Sequence, residues 1–229
     1  MRLADLSEKS GVPIATIKYY LREGLVPPGR RITATQAEYD DSHLRRLRLV
    51  RALVQLGKVP LATVREVLAH VDDESLGRTI RLGAALWALP HQNDADAAEA
   101  VSAGAPDVQD TEDDPATVTA RREVDRLLNR LGWEHCRELG ALSPVYRDLV
   151  ATVAALTRLG YPVEAGDLAP YARHIERIAQ HDLDIMERSP TLVEQVEMAV
   201  AGTLLYEPVL LNLRRLAQEE EATRRYGLQ

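Results

Sequence analysis

The chain has 229 residues, of which 45% are hydrophobic but only 4% aromatic, and its formal net charge is −7. This composition supports an aliphatic core and favours helices, because Leu and Ala have high helix propensity. One cysteine, Cys136, excludes an intrachain disulfide, and we expect its side chain to be buried as a small hydrophobe. The sequence has no signal-like run and no 18 uninterrupted apolar residues, so it predicts a cytoplasmic protein without a membrane partner.

The charge is unevenly distributed along the chain. Residues 1–70 hold 12 Lys and Arg against 7 Asp and Glu, for +5, whereas the remaining residues hold 16 against 28, for −12. A basic segment joined to an acidic remainder indicates that any binding of nucleic acid is confined to the first 70 residues.

Two short helices separated by a glycine turn are predicted at the start of the chain. The first is Leu3–Lys9, and the second lies between Pro13 and Gly24. One face of the second helix is apolar, with Ile14, Ile17 and Leu21. The opposite face is basic and aromatic, which is typical of a recognition helix that enters the DNA major groove.

The next segment predicts a compact winged unit of residues 1–73. Val26–Thr33 combines a turn, two arginines and residues that favour strands, so we interpret it as a β-wing. A third helix, capped by Asp41 or Ser42, runs to Leu56, and a fourth follows over residues 61–71.

Three further regions are predicted after the winged unit. Residues 74–90 form a connecting or dimerisation helix that Pro90 stops, and residues 91–115 hold eight acidic residues without Lys or Arg, which is typical of a flexible linker. Residues 116–229 are helical throughout, with a kink or restart at Pro208, and form an effector-binding or dimerisation domain. The fold class is therefore all-α with a small β-wing: a winged helix-turn-helix followed by a helical bundle.

The first 73 residues resemble the MerR family of bacterial transcription regulators. The resemblance rests on Leu3–Leu6, Ser10–Val12, Thr16–Tyr20, Glu23–Pro27 and the arginine-rich helix after Tyr39 and Asp40. It departs from the family at Lys18, where arginine is usual, at Leu21, where an acidic residue is usual, and in the wing. The resemblance implies a homodimer that binds and distorts a pseudo-palindromic promoter operator, with RNA polymerase at the same promoter.

Ten side chains are candidates for contact with double-stranded DNA: Thr16, Lys18, Tyr19, Tyr20, Arg22, Arg30, Arg31, Tyr39, Arg45 and Arg46. Two alternatives remain open. Tyr20 borders the core face and can pack inside instead. Some arginines of the third helix can form ion pairs with Asp40, Asp41 or Glu66.

Six large side chains of the second half are candidates for lining a cavity for a small apolar or aromatic effector: Trp133, Tyr146, Tyr171, Met186, Met198 and Tyr206. The alternatives are simple core filling and a domain that only dimerises. Ala201–Leu210, together with Leu213, is similar to the dimerising helices of TetR-type regulators.

Catalytic and metal-binding motifs are missing from the sequence. It has no glycine-rich phosphate loop, no His-Glu-x-x-His and no nucleophile elbow, so it predicts no enzyme. A single cysteine and the pair His174 and His181 give no metal-ligand set, so no metal and no cofactor are expected. The sequence therefore predicts a sequence-specific transcription regulator controlled by a ligand. The alternative is an architectural or recombination accessory protein that bends DNA without a ligand.

Overall fold

The computed structural model describes residues 1–33, 36–90 and 114–227 of the chain. The first part contains α1 (Leu3–Ser10), α2 (Ile14–Arg22), β1 (Arg30–Arg31), β2 (Ala37–Glu38), α3 (Asp41–Arg51), α4 (Leu61–Asp72) and α5 (Arg78–Trp87). A π-helical turn, Ala52–Leu56, continues α3. The second part contains α6 (Pro115–Leu131), α7 (Glu134–Leu139), a 3₁₀ turn (Gly140–Leu142), α8 (Pro144–Arg158), α9 (Ala165–Met186) and α10 (Leu192–Tyr226). The predicted fold class, all-α with a small β-wing, is confirmed.

Local capping groups explain where several helices begin and end. Gly11 has φ 65°, a left-handed conformation that favours glycine, and its N–H donates to the Ser7 carbonyl to end α1. Asp40 is the N-cap of α3 and accepts from the backbone N–H groups of Ser42 and His43. The cap predicted at Asp41 or Ser42 is therefore wrong by one or two positions.

The chain divides into two compact units. The head unit comprises Met1–Leu89 and Ile185–Gln229, and the body unit comprises Pro90–Asp184. This division differs from the predicted boundary, which placed all of residues 116–229 in one domain. The reason is hydrophobic: Val196 and Val200 of α10 are buried within the core that α1 to α5 form.

Helix α10 continues through Pro208, where the sequence predicted a kink or a restart of the helix, so the restart is wrong. Pro208 lies inside it, with a regular helix on both sides. A proline within a helix removes one backbone hydrogen bond, at a cost of about 3 kcal/mol, but it does not force the helix to end.

The body unit has a smaller aliphatic core between α6 and α8. Ala120, Val124 and Val153 are almost fully buried there, and Tyr146 and Val150 lie beside them. The predicted linker, 91–115, lies outside the described residues except at its end. There Asp114 caps α6 by accepting from the Thr117 N–H and forms an ion pair of 2.8 Å with Arg158.

Candidate nucleic-acid interface

The first two helices form a rigid helix-turn-helix. The turn is fixed by the Ser7 hydroxyl, which donates to the Val12 carbonyl at 2.7 Å, and by the Ser10 hydroxyl, which accepts from the Val12 N–H at 3.2 Å. Leu6 and Ile17 are fully buried and pack the two helices onto the head core. Because both the turn and the inner faces are fixed, the outer face of α2 has a defined orientation.

The outer face of α2 presents a basic and aromatic surface to solvent. Lys18 and Arg22 are exposed, and Tyr19 is half-buried between them. The Arg22 guanidinium carbon lies 5.3 Å from the centre of the Tyr19 ring, a cation–π contact that holds both side chains. Thr16, one turn before Tyr20 on the same helix, is half-buried.

Two of the predicted contact residues belong to the core instead. Tyr20 is 4% exposed and Tyr39 is 7% exposed, so neither presents its ring to a ligand on the surface. Burial raises the pKa of the Tyr20 hydroxyl above its ordinary value, and the neighbouring Tyr19 adds to the rise. The alternative that Tyr20 packs inside is therefore the one that the structure supports. Tyr39 lies edge-on against the His43 ring, with 5.2 Å between the ring centres.

The predicted wing is a two-stranded antiparallel sheet. Arg30 pairs in register with Glu38, and Arg31 pairs with Ala37. The Arg30 guanidinium also forms an ion pair with the Glu38 carboxylate, whereas Arg31 is exposed. Arg31 and Leu21 line one open groove of about 330 Å³ between the wing and the end of α2. The wing therefore carries Arg31 next to the recognition helix.

Two of the four arginines of α3, Arg45 and Arg46, have acidic partners that fix them within the protein. Arg46 is 6% exposed, and its guanidinium contacts the carboxylates of Asp72 and Glu197, the latter at 3.1 Å. Arg45 is paired with Glu194 at 2.7 Å. Burial raises the pKa of the Glu197 carboxyl, while the nearby Arg46 and Arg45 oppose the rise. Arg46 is therefore removed from the candidate interface, and Arg45 reaches DNA only if it leaves Glu194.

The sequence did not indicate that these partners come from the end of α4 and from α10. Ion pairs with Asp40, Asp41 or Glu66 had been expected, but the acidic partners lie at positions 72, 194 and 197. One signal was present in the sequence. Val193, Val196, Val200 and Leu204 form an apolar row at helical spacing, and Glu194 and Glu197, three residues apart, lie beside this row.

The six candidates for an effector cavity do not share one core. Trp133 packs against the body core that includes Tyr146, and its indole N–H donates to Glu176 at 3.3 Å. The Tyr146 hydroxyl donates to Asp125 at 2.7 Å, and burial together with this bond raises the Tyr146 pKa. Tyr171 is exposed. The remaining three, Met186, Met198 and Tyr206, belong to the head unit, where Met186 is buried and the other two are exposed.

Cys136 is exposed on α7, so its predicted burial is wrong. The six-residue helix α7 buries none of its side chains, and the cysteine therefore lies at the surface.

A helix-turn-helix with an exposed basic second helix and an adjacent arginine-bearing wing defines a winged helix-turn-helix DNA-binding protein. Comparison with known proteins agrees with this class. Residues 1–71 match the MerR HTH family of regulatory proteins. Residues 1–71 are therefore a MerR-type helix-turn-helix domain, as the residue pattern predicted, and the chain is a DNA-binding transcription regulator.

Two relatives illustrate this assignment. The HTH-type transcriptional regulator ZntR homolog of Haemophilus influenzae is 34% identical over 50 residues, which are 22% of this chain and 37% of that protein. The matched part is thus little more than a third of the relative. The crystal structure of the predicted transcriptional regulator SCO5550 from Streptomyces coelicolor A3(2) is 59% identical, with a TM-score of 0.81. That match covers 100% of this chain and 99% of the other.

Proposed function

We propose that this MerR-type regulator acts as a homodimer that reads a pseudo-palindromic promoter operator and responds to a small apolar or aromatic effector. The observation that carries the DNA-reading part is the outer face of α2. There Lys18 and Arg22 are exposed, while Ile17 on the inner face is fully buried, and the wing arginine Arg31 lines a groove with Leu21 of the same helix.

The chemistry of these side chains suits a major groove. Lys18 and Arg22 are donors without acceptor groups, and guanine presents two acceptors, O6 and N7, at the groove edge. Arg31 has the charge and position to contact a phosphate beside the groove. In a dimer, two copies of α2 bind half-sites about 34–36 Å apart, one turn of DNA, so the operator repeats with inverted symmetry. RNA polymerase is the expected neighbour at such a promoter.

The effector is proposed to bind the body unit. Trp133 and Tyr146 are the large aromatic side chains at its core, and each has its polar atom directed to a carboxylate, Glu176 and Asp125 respectively. An apolar surface with a few fixed polar groups is typical of a site for a small organic molecule.

The DNA-reading proposal is tested with Lys18→Ala and Arg22→Ala, singly and together. Genomic fragments bound by the wild type are isolated, and the best site is footprinted with each variant. We expect the double variant to lose the footprint while its circular dichroism is unchanged, because neither side chain is buried. Arg173→Ala is the matched control, since Arg173 is an exposed arginine of α9 in the body unit.

Each outcome of the footprinting has a definite meaning. An inverted repeat within a promoter, lost only in the α2 variants, supports the proposal. A normal footprint with the double variant contradicts the assignment of α2. Strong binding to fragments that share no half-site favours the architectural alternative.

The effector proposal is tested by thermal unfolding of the full chain with indole, naphthols and medium-chain fatty acids. A compound that binds only the native state, at a free concentration of a hundred times its Kd, stabilises the protein by about 2.7 kcal/mol. We expect at least one compound to raise Tm, and Trp133→Leu to remove that rise. If no compound in a broad panel raises Tm, the body unit is not an effector domain.

A further inference from the structure

The distal part of α10 carries apolar side chains that nothing within the described chain covers. Tyr206, Val209, Leu213 and Leu216 are 47%, 45%, 56% and 59% exposed. Their spacing alternates between three and four residues, and the small residues Ala199 and Gly202 continue the same row towards the start of the helix. This seven-residue repeat is the pattern of a helix that pairs with another helix. We call this row the α10 seam.

The α10 seam lies away from the rest of the head unit. The row that packs on the head core is Val193, Val196, Val200 and Leu204. At about 100° per residue, the two rows occupy nearly opposite sides of the helix. The first row explains how α10 is anchored, whereas no described residue of the same chain covers the α10 seam.

A lipid bilayer does not match the dimensions of the α10 seam. Among the described residues, α10 is long and apolar enough to cross a membrane by length and composition, and only 11% of its apolar window is buried. Helices α7 and α8, which are bent relative to each other, reach that length and apolar composition only when they are counted together as one span. However, Glu194 and Glu197 tie the start of α10 to Arg45 and Arg46 of the head. The stretch that remains, 205–216, includes Glu207 and two arginines and is about 18 Å long, whereas a bilayer core is about 30 Å thick.

We propose that the α10 seam pairs antiparallel with the α10 seam of a second copy of this chain. This inference rests on the homodimer of the proposed function and identifies its interface. Half-exposed side chains along such a seam bury on the order of 1,000 Å² in a pair, the lower bound for a specific interface. Helix α5, the expected dimerisation helix, has only 10 residues, and its Arg81 and Ala85 face the head core. With fewer than three turns and part of its surface in the head core, α5 has little area left for pairing with a second copy.

The charges at the end of α10 favour the antiparallel arrangement. Glu219, Glu220 and Glu221 follow the apolar residues, and Glu220 is the next position of the seam. In a parallel pair the Glu220 carboxylate would face Glu220 of the other copy, with Glu219 and Glu221 on either side, and like charges in close contact are unfavourable. In an antiparallel pair centred at residue 211, Glu220 lies beside Gly202 of the other copy. The same register places Leu216 against Tyr206 and Leu213 against Val209.

The antiparallel register also gives a spacing that fits DNA. The heads are attached to α10 near Val196 and Val200. With a rise of 1.5 Å per residue, the two attachment points lie about 40 Å apart along the paired helices. Half-sites on one face of DNA are about 34–36 Å apart. A rigid pair of α10 helices would therefore set the distance between the two recognition helices.

The first test is the mass of the full chain by analytical ultracentrifugation. We expect the wild type to be a dimer, Leu213→Glu to be a monomer, and Leu211→Glu to remain a dimer. Leu211 is the matched control because it is 45% exposed on the same helix but lies outside the seam. A dimeric Leu213→Glu, or a monomeric Leu211→Glu with unchanged helicity, overturns the α10 interface. A dimeric Leu213→Glu that still footprints the operator leaves the proposed function standing, whereas a monomeric wild type contradicts both.

The second test determines the register without disturbing folding. Val209→Cys and Leu213→Cys are made separately in a Cys136→Ser background, which removes the exposed native thiol. After mixing, exchange of subunits and mild oxidation, the antiparallel register predicts disulfide-linked dimers in the mixture but not in either variant alone. Cross-linking of each single variant to itself, or flotation of the protein with phosphatidylcholine vesicles, overturns the proposal.

Discussion

Helices α2 and α3 both carry basic side chains, but the Lys18–Arg22 pair of α2 and the Arg45–Arg46 pair of α3 are used in opposite ways. In α2, Lys18 and Arg22 are exposed to solvent, and Arg22 contacts the Tyr19 ring and, loosely at 3.6 Å, the carboxylate of its neighbour Glu23. In α3, Arg46 is buried between two carboxylates, and Arg45 is held by a third. The difference is set by acidic partners that lie far away in sequence. A basic helix face therefore indicates a nucleic-acid contact only when its side chains do not form ion pairs with carboxylates from distant parts of the chain.

The largest expected effect is the loss of stability when the buried arginine of α3 is removed. We expect Arg46→Ala to destabilise the protein by about 3 kcal/mol, because it leaves the buried Glu197 carboxylate without its partner. Urea unfolding measures the loss. In the control, Arg46→Met combined with Glu197→Met, most of the stability should return, since no unpaired charge is then buried. A loss below about 0.5 kcal/mol for Arg46→Ala would mean that the pair has no structural role.

The second prediction compares the operator affinity of two variants, each of which lacks one arginine, from α2 or from α3. We expect Arg22→Ala to weaken operator binding about tenfold or more, while Arg45→Ala changes it less than about twofold. If Arg22 contacts a phosphate, the slope of log K against log salt also becomes shallower by about 0.9 for each lost contact. Fluorescence anisotropy across a salt series measures both quantities. Equal losses from the two variants would show that α3 also belongs to the interface.

The smallest expected effect concerns the cap of α3. Asp40→Ala should cost about 1 kcal/mol at neutral pH, because the carboxylate accepts from two backbone N–H groups of the first turn. Hydrogen bonds from Ser42 and His43 lower the Asp40 pKa, so this stability is present above the ordinary pKa of aspartate and is lost as pH falls through the lowered value. The difference in unfolding free energy between wild type and Asp40→Ala should therefore shrink in acid. Asp40→Asn keeps an acceptor and should retain most of the stability at pH 7.

Much of the head was predictable because its signals are local. The glycine after α1, the apolar inner positions of α2 and the two arginines of the wing all lie within a few residues of the structure that they determine. The periodicity of α2 was slightly misleading: Ile14 was placed on the inner face, but it is 40% exposed, and Tyr20 takes the buried position instead. At a helix end, the periodicity of the sequence can misplace the buried face by one residue, because the neighbouring turn determines which side chains are covered.

The body and the last helix were less predictable. The sequence indicated helices there, but it did not reveal that α10 leaves the body and joins the head core through Val196 and Val200. Apolar residues at helical spacing show that a face is buried without showing which element covers it. The likeness of Ala201–Leu210 to TetR-type dimerising helices stays a prediction, and it concerns the same stretch as the α10 seam.

The sequence by itself determined the DNA-binding class, the helical character and the outer basic face of α2, since each depends on neighbours three or four residues apart. Only the tertiary structure decided which basic residues remain available. Arg46 and Arg45 are neutralised by Glu197 and Glu194, about 150 residues further along the chain. Tyr39 is enclosed by packing. Such partners are chosen by long-range burial, in which apolar side chains bring distant segments together and the charges beside them must then be paired.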